Sequence, residues 1–298
     1  MRPGRAADLP AVLALWRADV EAGRRDCVPR GDHVAALSQR FDWEARSRVV
    51  EGARGDLVGA VLVGSHMAPA GALGQVDPTA AGPDAARLIQ DLTRWGVDLC
   101  RASGAIAAQV WMGRGHGEPL SRLALEQVRP WWRMDRTLEG ELPRPAPVDG
   151  YELVDGSRVA PGSWSGLHNR SFADHWRFSL RSEEELITGK APELCLMALT
   201  TASGEPASLT LCQLEGYMDD PRPQPVGLVS SVGTAPEHRR RGLANWLVTE
   251  SLLRLSVEGA RTASLYVDGL NETRASDAYR KLGFELAFEA EVWEASFR

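Results

Sequence analysis

The chain has 298 residues, with 34 Lys and Arg against 40 Asp and Glu, a net charge of −6. Hydrophobic residues make up 44% and charged residues 25%, which is globular composition and excludes a disordered, collagen-like or coiled-coil chain. The acidic balance excludes a global basic field that would draw the protein to nucleic acid or anionic lipid.

In chain order, Met1 to Asp8 contains no apolar h-region, so no secretory signal is expected and the expected location is cytoplasmic. Leu57 to Val76 carries no formal charge and is long enough to span a membrane. Ser65, His66, Pro69, Gln75 and several glycines interrupt it, so two strands and a turn are expected instead. Ala72 to Val76 reads as a strand ended by a turn at Asp77-Pro78. Leu88, Leu92, Trp95 and Leu99 form a helical stripe, Gly104 stops it, and Ile106 to Met112 is strand-like.

Gly140 to Gly150 holds three prolines at alternate positions between flanking glycines, which is linker composition. Beyond it the first rhythm returns. Leu228 to Gly233 reads as a strand, Ala235 to Ala244 as a Pro-containing turn, and Val248, Leu252 and Leu255 as a helical stripe. Gly259 is the stop and Ala263 to Val267 the next strand. Strand, turn, helix, glycine and strand thus occur twice, an internal duplication of an α/β unit. The expected domains are 1–139, a linker at 140–150, and 151–298. The cysteines at 27, 100, 195 and 212 are scattered without a CxxC pair, so reduced thiols and no metal site are expected.

The second turn carries the chemistry. Arg239, Arg240 and Arg241 precede Gly242, Leu243 and Ala244 at the start of a helix. Unpaired N–H groups and the positive end of the helix dipole converge there. Gly242 allows close backbone approach, Ala244 leaves the mouth open, and the arginines supply phosphate geometry. The pattern is a pyrophosphate cradle. It lacks the Gly-Lys-Ser/Thr of a Walker loop and the glycine spacing of a dinucleotide fingerprint.

The segment from Val232 through Pro236, Arg239, Gly242, Ala244, Asn271, Tyr279, Gly283 and Phe284 resembles the GNAT superfamily of acyl-CoA-dependent N-acyltransferases. Two tandem repeats with motifs in the second resemble the branch that includes the mycothiol synthases. In the first repeat, Ala81, Pro83 and Asp84 stand where the second has Arg239, Arg241 and Gly242, so that copy is expected to keep the fold without the cofactor.

The resemblance implies two GNAT-like repeats, each a mixed twisted sheet with helices on both faces, packed as an internal pseudo-dimer. A monomer is expected, with a homodimer as the alternative. It implies acetyl-CoA as donor and a small amine as acceptor, with no nucleic acid or membrane partner. Residues 239–244 would hold the pyrophosphate, with Asn271 and Ala275 beside it. Backbone at Val232, Gly233 and Thr234 would pair with the pantetheine arm. Tyr279 would serve the leaving thiolate. Leu167 to Trp176 is similar to the acceptor-side segment of that branch, which makes Asp174 and His175 candidate bases and Trp176 a substrate contact. Mycothiol synthases carry a Glu on the strand entering the motif, and Leu228 stands there in this chain. Ser230 and Ser231 remain to orient a water or the substrate. Without that Glu, the alternative is a non-catalytic acyl-CoA-binding or sensing protein. The acidic stretch Glu215 to Asp220 reads first as a solvated hairpin tip, with attraction of a cationic amine as the alternative.

Overall fold

The computed structural model describes residues 1–29, 31–215, 222–271 and 275–297. They form two compact units: 1–132 with 288–297, and 133–215 with 222–287.

In chain order the elements are β1 (Arg2–Pro3), α1 (Leu9–Glu21), α2 (Gly31–Gln39), α3 (Trp43–Arg46), β2 (Ser47–Glu51), β3 (Leu57–Ala68), β4 (Gly71–Ala80), α4 (Ala85–Ala102), β5 (Ala107–Gly113), α5 (Glu118–Ser121) and β6 (Glu126–Thr137). After a stretch without helix or strand follow β7 (Tyr151–Asp155), α6 (Ser163–Phe172), α7 (Glu183–Ile187), β8 (Cys195–Thr200), β9 (Pro206–Glu215), β10 (Val226–Thr234), α8 (Leu243–Val257), β11 (Thr262–Asp268), α9 (Ala275–Lys281) and β12 (Glu285–Ser296). The chain is α/β.

In the first unit the strand order is β1-β2-β3-β4-β5-β12. The span at 57–76 is indeed two strands, β3 and β4, paired in unbroken register from Gly59↔Ala80 to Ala68↔Gly71. The expected turn at Asp77-Pro78 is not there. Pro78 lies within β4 opposite Val61, and the strand runs on to Ala80. Proline needs no amide partner on the side of the strand where no ladder bond is asked of it. β4 and β5 are parallel from Leu73↔Ala107 to Val76↔Val110. Val12, Trp16, Ala60 and Leu62 make a core on the α1 side, and Val61, Val76, Leu92 and Val110 make one on the α4 side. Among the described residues no helix is long and apolar enough to cross a membrane.

The second unit orders its strands β6-β11-β10-β9-β8-β7, with residues 133–137 of β6 beside β11. α6 covers one face over Leu167, Leu209 and Leu211. α8 covers the other over Ala207, Leu243 and Leu247. Where they pair, Val226 to Val229 of β10 and Thr262 to Leu265 of β11 are largely buried on both faces, whereas Ser230 and Tyr266 beyond are exposed.

The glycine stops seen in the sequence have a common geometry. Gly104, Gly259 and Gly283 all sit at positive φ just past a helix. In each case the glycine N–H and the next residue's N–H reach back to the last helical carbonyls. For α8 these bonds are Gly259 to Ser256 and Ala260 to Leu255. This is the Schellman closure, which only glycine enters without strain.

Each unit takes one strand from the opposite half of the sequence. β12 pairs antiparallel with β5 from Ala290↔Gly113 to Ser296↔Ala107. There the buried Gln109 amide donates to the buried Glu294 carboxylate at 2.9 Å. Glu294→Ala should cost about 1–3 kcal/mol, because it orphans a buried donor. Urea denaturation should read this as a lower midpoint at unchanged m value.

Candidate active site

The site is built where β10 loses one neighbour. Its parallel pairing with β11 runs from Val226↔Thr262 to Val229↔Leu265. A bulge then falls between Val229 and Ser231, and the register with β9 shifts by one residue. Ser230 is the extra residue, and its hydroxyl donates to the Leu211 carbonyl at 2.9 Å. Beyond it, Ser231 to Thr234 stay bonded to β9, and among the described residues the β11 side has no further ladder. Peptide groups of Val232, Gly233 and Thr234 therefore face an opening between two diverging strands. A bulge bends and twists its strand in this way.

Gly233 sets how closely the helix layer approaches this opening. A Cβ there would lie 3.0 Å from Phe172 and from Ser171 of α6. The end of α6 thus rests directly on the bulged strand.

The turn after β10 leads into α8. Arg240 has φ +62° and Gly242 φ +89°, both left-handed. Gly242 is the N-cap of α8, and no side chain caps that helix. The N–H groups of its first turn point outward with the positive end of the helix dipole. Arg240 and Arg241 are exposed beside them, and Arg241 Nη2 donates to the Glu237 carbonyl at 3.3 Å. Leu243 is buried and Ala244 half-buried. These donors and charges lie together at one helix start.

Arg239 has a different environment from its neighbours. Its guanidinium donates to Asp174 Oδ2 at 2.7 Å and Oδ1 at 3.3 Å, to the Ser171 carbonyl at 2.9 Å and to the Thr234 carbonyl at 3.3 Å. It clamps the end of α6 to the cradle. The hydrogen bond from Arg239 holds the Asp174 carboxyl below its ordinary range. Asp174 thus enters the site as the partner of Arg239.

His175 is half-buried, with its ring edge against Phe172 at 4.7 Å. His168, one turn back, stacks on the other side of Phe172 at 4.5 Å, and burial pushes its pKa below the usual histidine value. Asn169 bridges both backbone groups of Arg181, which closes the loop holding His175 and Trp176. Trp176 is half-buried, with the Arg177 guanidinium 5.9 Å from its ring.

Tyr279 is on α9, and the Gly-Phe pair that follows explains its placement. Gly283 closes the helix, and Phe284 N–H returns to the Tyr279 carbonyl at 3.0 Å. The Phe284 ring, 1% exposed, packs edge-on to the Tyr279 ring with centroids 6.0 Å apart. This cap fixes the tyrosine ring. The phenol lies in a half-buried setting where desolvation raises its pKa. Among the described residues nothing hydrogen-bonds to it. Asn271 N–H donates to the Asp268 carbonyl, and Ala275 opens α9. Glu272 to Arg274 and Gly216 to Asp220, the greater part of the acidic hairpin tip, lie outside the described residues.

The sequence reading passed over the sheet face under α6. Leu209 and Leu211 face α6, so by strand alternation Gln213 and Glu215 do as well. Leu228 is opposite Gln213, and Val226 opposite Glu215. Ser264 is opposite Leu228 on β11. Arg222 donates to Ser264 Oγ at 2.8 Å, and Ser264 donates to Asp135 at 2.6 Å. A polar floor therefore surrounds Leu228. Strand alternation around Leu228 was the available signal, but it needs the register to be read.

Elsewhere, a cavity of about 490 Å³ is lined by Arg136, Leu142, Arg144, Lys281 and Gly283. It opens at the start of β11, away from the cradle, which follows the far end of the parallel neighbour β10. Glu205, Glu237 and His238 converge within 4.8 Å at the surface, where His238 Nδ1 is already engaged by the Tyr151 hydroxyl at 2.9 Å.

A bulged strand diverging from its parallel neighbour and leading into an uncapped, arginine-flanked helix is the architecture of an acyl-CoA acyltransferase. The FR47-like protein family model matches residues 220–294. Mycothiol acetyltransferase of Thermobispora bispora is 30% identical over 295 residues, 93% of this chain and 92% of that one. The enzyme of the same name from Kytococcus sedentarius is 32% identical over 173 residues, 53% of this chain and 54% of that one. Among solved structures, a GCN5-related N-acetyltransferase from Sphaerobacter thermophilus superimposes with TM-score 0.81 at 21% identity, covering 100% of this chain and 95% of that one. A tandem GNAT protein from the clavulanic acid biosynthesis pathway gives TM-score 0.67 at 18% identity, covering 99% and 97%. The chain belongs to the GNAT superfamily of acetyltransferases, within the family of the mycothiol acetyltransferases.

Because Asp174 has a depressed pKa, its ion pair is intact above the ordinary carboxylate range and is lost only as pH falls through the folded value. Asp174→Asn should therefore flatten the stability profile below about pH 4. It should leave any limb of kcat/KM between pH 5 and 8 in place. Thermal melts and rate profiles across pH check both.

Proposed function

We propose that the second unit catalyses direct transfer of an acetyl group from acetyl-CoA to the amine of a small molecule. The observation that carries this is the uncapped start of α8, opened by left-handed Gly242 at the end of the diverging strand. The chemistry of these donors fits a pyrophosphate. First-turn N–H groups of α8, with Arg240 and Arg241, would hold it. Peptide groups from Val232 to Thr234 would take the amides of the pantetheine arm as a missing strand would. When bound, acetyl-CoA supplies an activated acetyl thioester.

The protein's own residues then have distinct tasks. N–H groups beside the bulge stabilise oxygen charge that develops at the thioester carbonyl. Tyr279, with a pKa raised by desolvation, keeps its proton until a thiolate forms next to it. Arg239 and Asp174 fix α6 over the cradle. His175 and Trp176, held by the Asn169 bridge, line the acceptor side.

In the first unit, the end of β4 supports only the fold. There Arg24 donates to Asp19 and to the Ala80 carbonyl, and Arg25 pairs with Asp77. β4 has no bulge to open it. The relatives are named for mycothiol, while the strand entering the motif here carries Leu228 and no acidic residue, so the acceptor is stated as a small amine. Acetyl-CoA as donor places the reaction in the cytoplasm.

A binding-only reading has one observation in its favour, the apolar Leu228 on β10. Turnover separates the two. Acetyl-CoA with a panel of primary amines should release thiol, followed with a disulfide reagent. Arg240→Ala and Arg241→Ala should each raise KM for acetyl-CoA about 10-fold, the loss of one charge-assisted contact. Tyr279→Phe should lower kcat about 100-fold at unchanged KM. Tight CoA binding with no thiol release from any amine would leave only the binding reading.

A further inference from the structure

The reading as an acetyltransferase leaves a chemical gap. An acceptor amine is protonated near neutral pH and must lose a proton before it attacks. Asp174 is held by Arg239. On β10 itself, from Val226 to Thr234, no residue is acidic.

We propose that Glu215, on the strand beside β10, is the group that receives the acceptor ammonium and takes its proton. The inference rests on the acetyl-transfer reading above and on four observations. Glu215 is opposite Val226, and Gln213 is opposite Leu228, in the antiparallel β9–β10 ladder. Residues opposite each other share a face, and side chains at the diagonal position lie about 7–8 Å away, within reach of a long side chain. The shared face is the α6 face, because Leu209 and Leu211 of the same strand pack with Trp164 and Leu167 of α6. It is therefore the face on which Gly233 receives Phe172 and on which the acceptor-side loop begins.

The second observation is burial. Glu215 is 4% exposed. A buried carboxylate carries a large desolvation cost and is kept where its charge has a partner or a task. The third is that its position is built. Gln213 Nε2 donates to Glu215 Oε1, so the residue opposite Leu228 aims and holds this carboxylate. The fourth is the polar floor across Leu228, formed by Ser264, Arg222 and Asp135. These groups are bonded to one another and make the surface beside Leu228 polar. A cationic amine carrying further hydroxyl or amide groups matches them.

The proton balance follows. The ammonium gives up two protons. Glu215 takes the first and returns it to solvent. The freed nitrogen bonds to the acetyl carbon as the C–S bond breaks, and Tyr279 gives its proton to the departing thiolate. The second nitrogen proton then replaces the one Tyr279 has lost. The products are the acetamide, the thiol and one released proton.

The test uses the full chain, acetyl-CoA and three amine probes: glucosamine, 1,5-diaminopentane and tyramine. Wild type identifies the working probe by thiol release. Glu215→Gln keeps the size and the hydrogen-bonding partner of Gln213. It should lower kcat by about 100-fold, with acetyl-CoA affinity by calorimetry and melting temperature unchanged. Leu228→Glu on the Glu215→Gln background restores a carboxylate to the neighbouring strand. It should recover at least about 10-fold of the loss, a rescue that a purely structural role of Glu215 does not give. Glu215→Gln within about twofold of wild type overturns the assignment while acetyl transfer stands. Equal losses in Glu215→Gln and the double variant also overturn it. Wild type that binds acetyl-CoA yet acetylates none of the probes removes the acetyl-transfer reading for amines of this kind, and the assignment with it.

Discussion

The second unit depends on one interrupted ladder. A parallel strand in the middle of a sheet normally bonds on both edges, and β10 does so only as far as Val229. One inserted residue, Ser230, ends that arrangement. Its hydroxyl occupies the Leu211 carbonyl, so the insertion leaves less backbone unsatisfied than a bare bulge would. Every later feature of the site uses the resulting opening. The peptide edge from Val232 to Thr234 faces it, and the arginine turn into α8 follows at its far end. Without the bulge, β10 and β11 would zip together, and the arginine turn would be an ordinary basic loop.

A second constraint holds this opening in place from above. The Arg239 clamp joins three parts of the chain: the last carbonyls of α6, the end of β10 and Asp174. An arginine with its donors directed at carbonyls and a carboxylate fixes a geometry that a lysine would not. The three consecutive arginines therefore divide their work. One builds the cradle and two face outward from it.

Much of this was legible in the residues. The helical stripes at Leu88 to Leu99 and Val248 to Leu255, the glycine stops, and the strand before each turn all have strong local signals, and the structure has them at those places. The turn into α8 was legible because Gly242 favours the left-handed backbone that opens the helix there. Pro78 misled for a physical reason: proline marks turns by its fixed φ, yet it sits without cost in a strand where no ladder bond needs its nitrogen. Arg239 was read with its neighbours because spacing alone does not reveal that Asp174, 65 residues away, would reach it. The bulge was invisible, since Val-Ser-Ser-Val alternates no differently from an unbroken strand. Glu215 and Gln213 were hidden for the same reason: their meaning depends on which residue of β10 they face, and register is a property of two strands together.

The swapped last strand also sets a timetable. Gln109 and Glu294 are 185 residues apart, so during synthesis the first unit waits for almost the whole second unit before its β5 edge is covered. Until then β5 presents an open row of peptide groups, a template for pairing with any other extended chain. A contact so distant in sequence forms slowly. The nascent protein thus passes through a long interval in which its most aggregation-prone edge is complete in sequence but unclosed. Closing that edge is the step at which a nascent chain of this topology is exposed to mispairing.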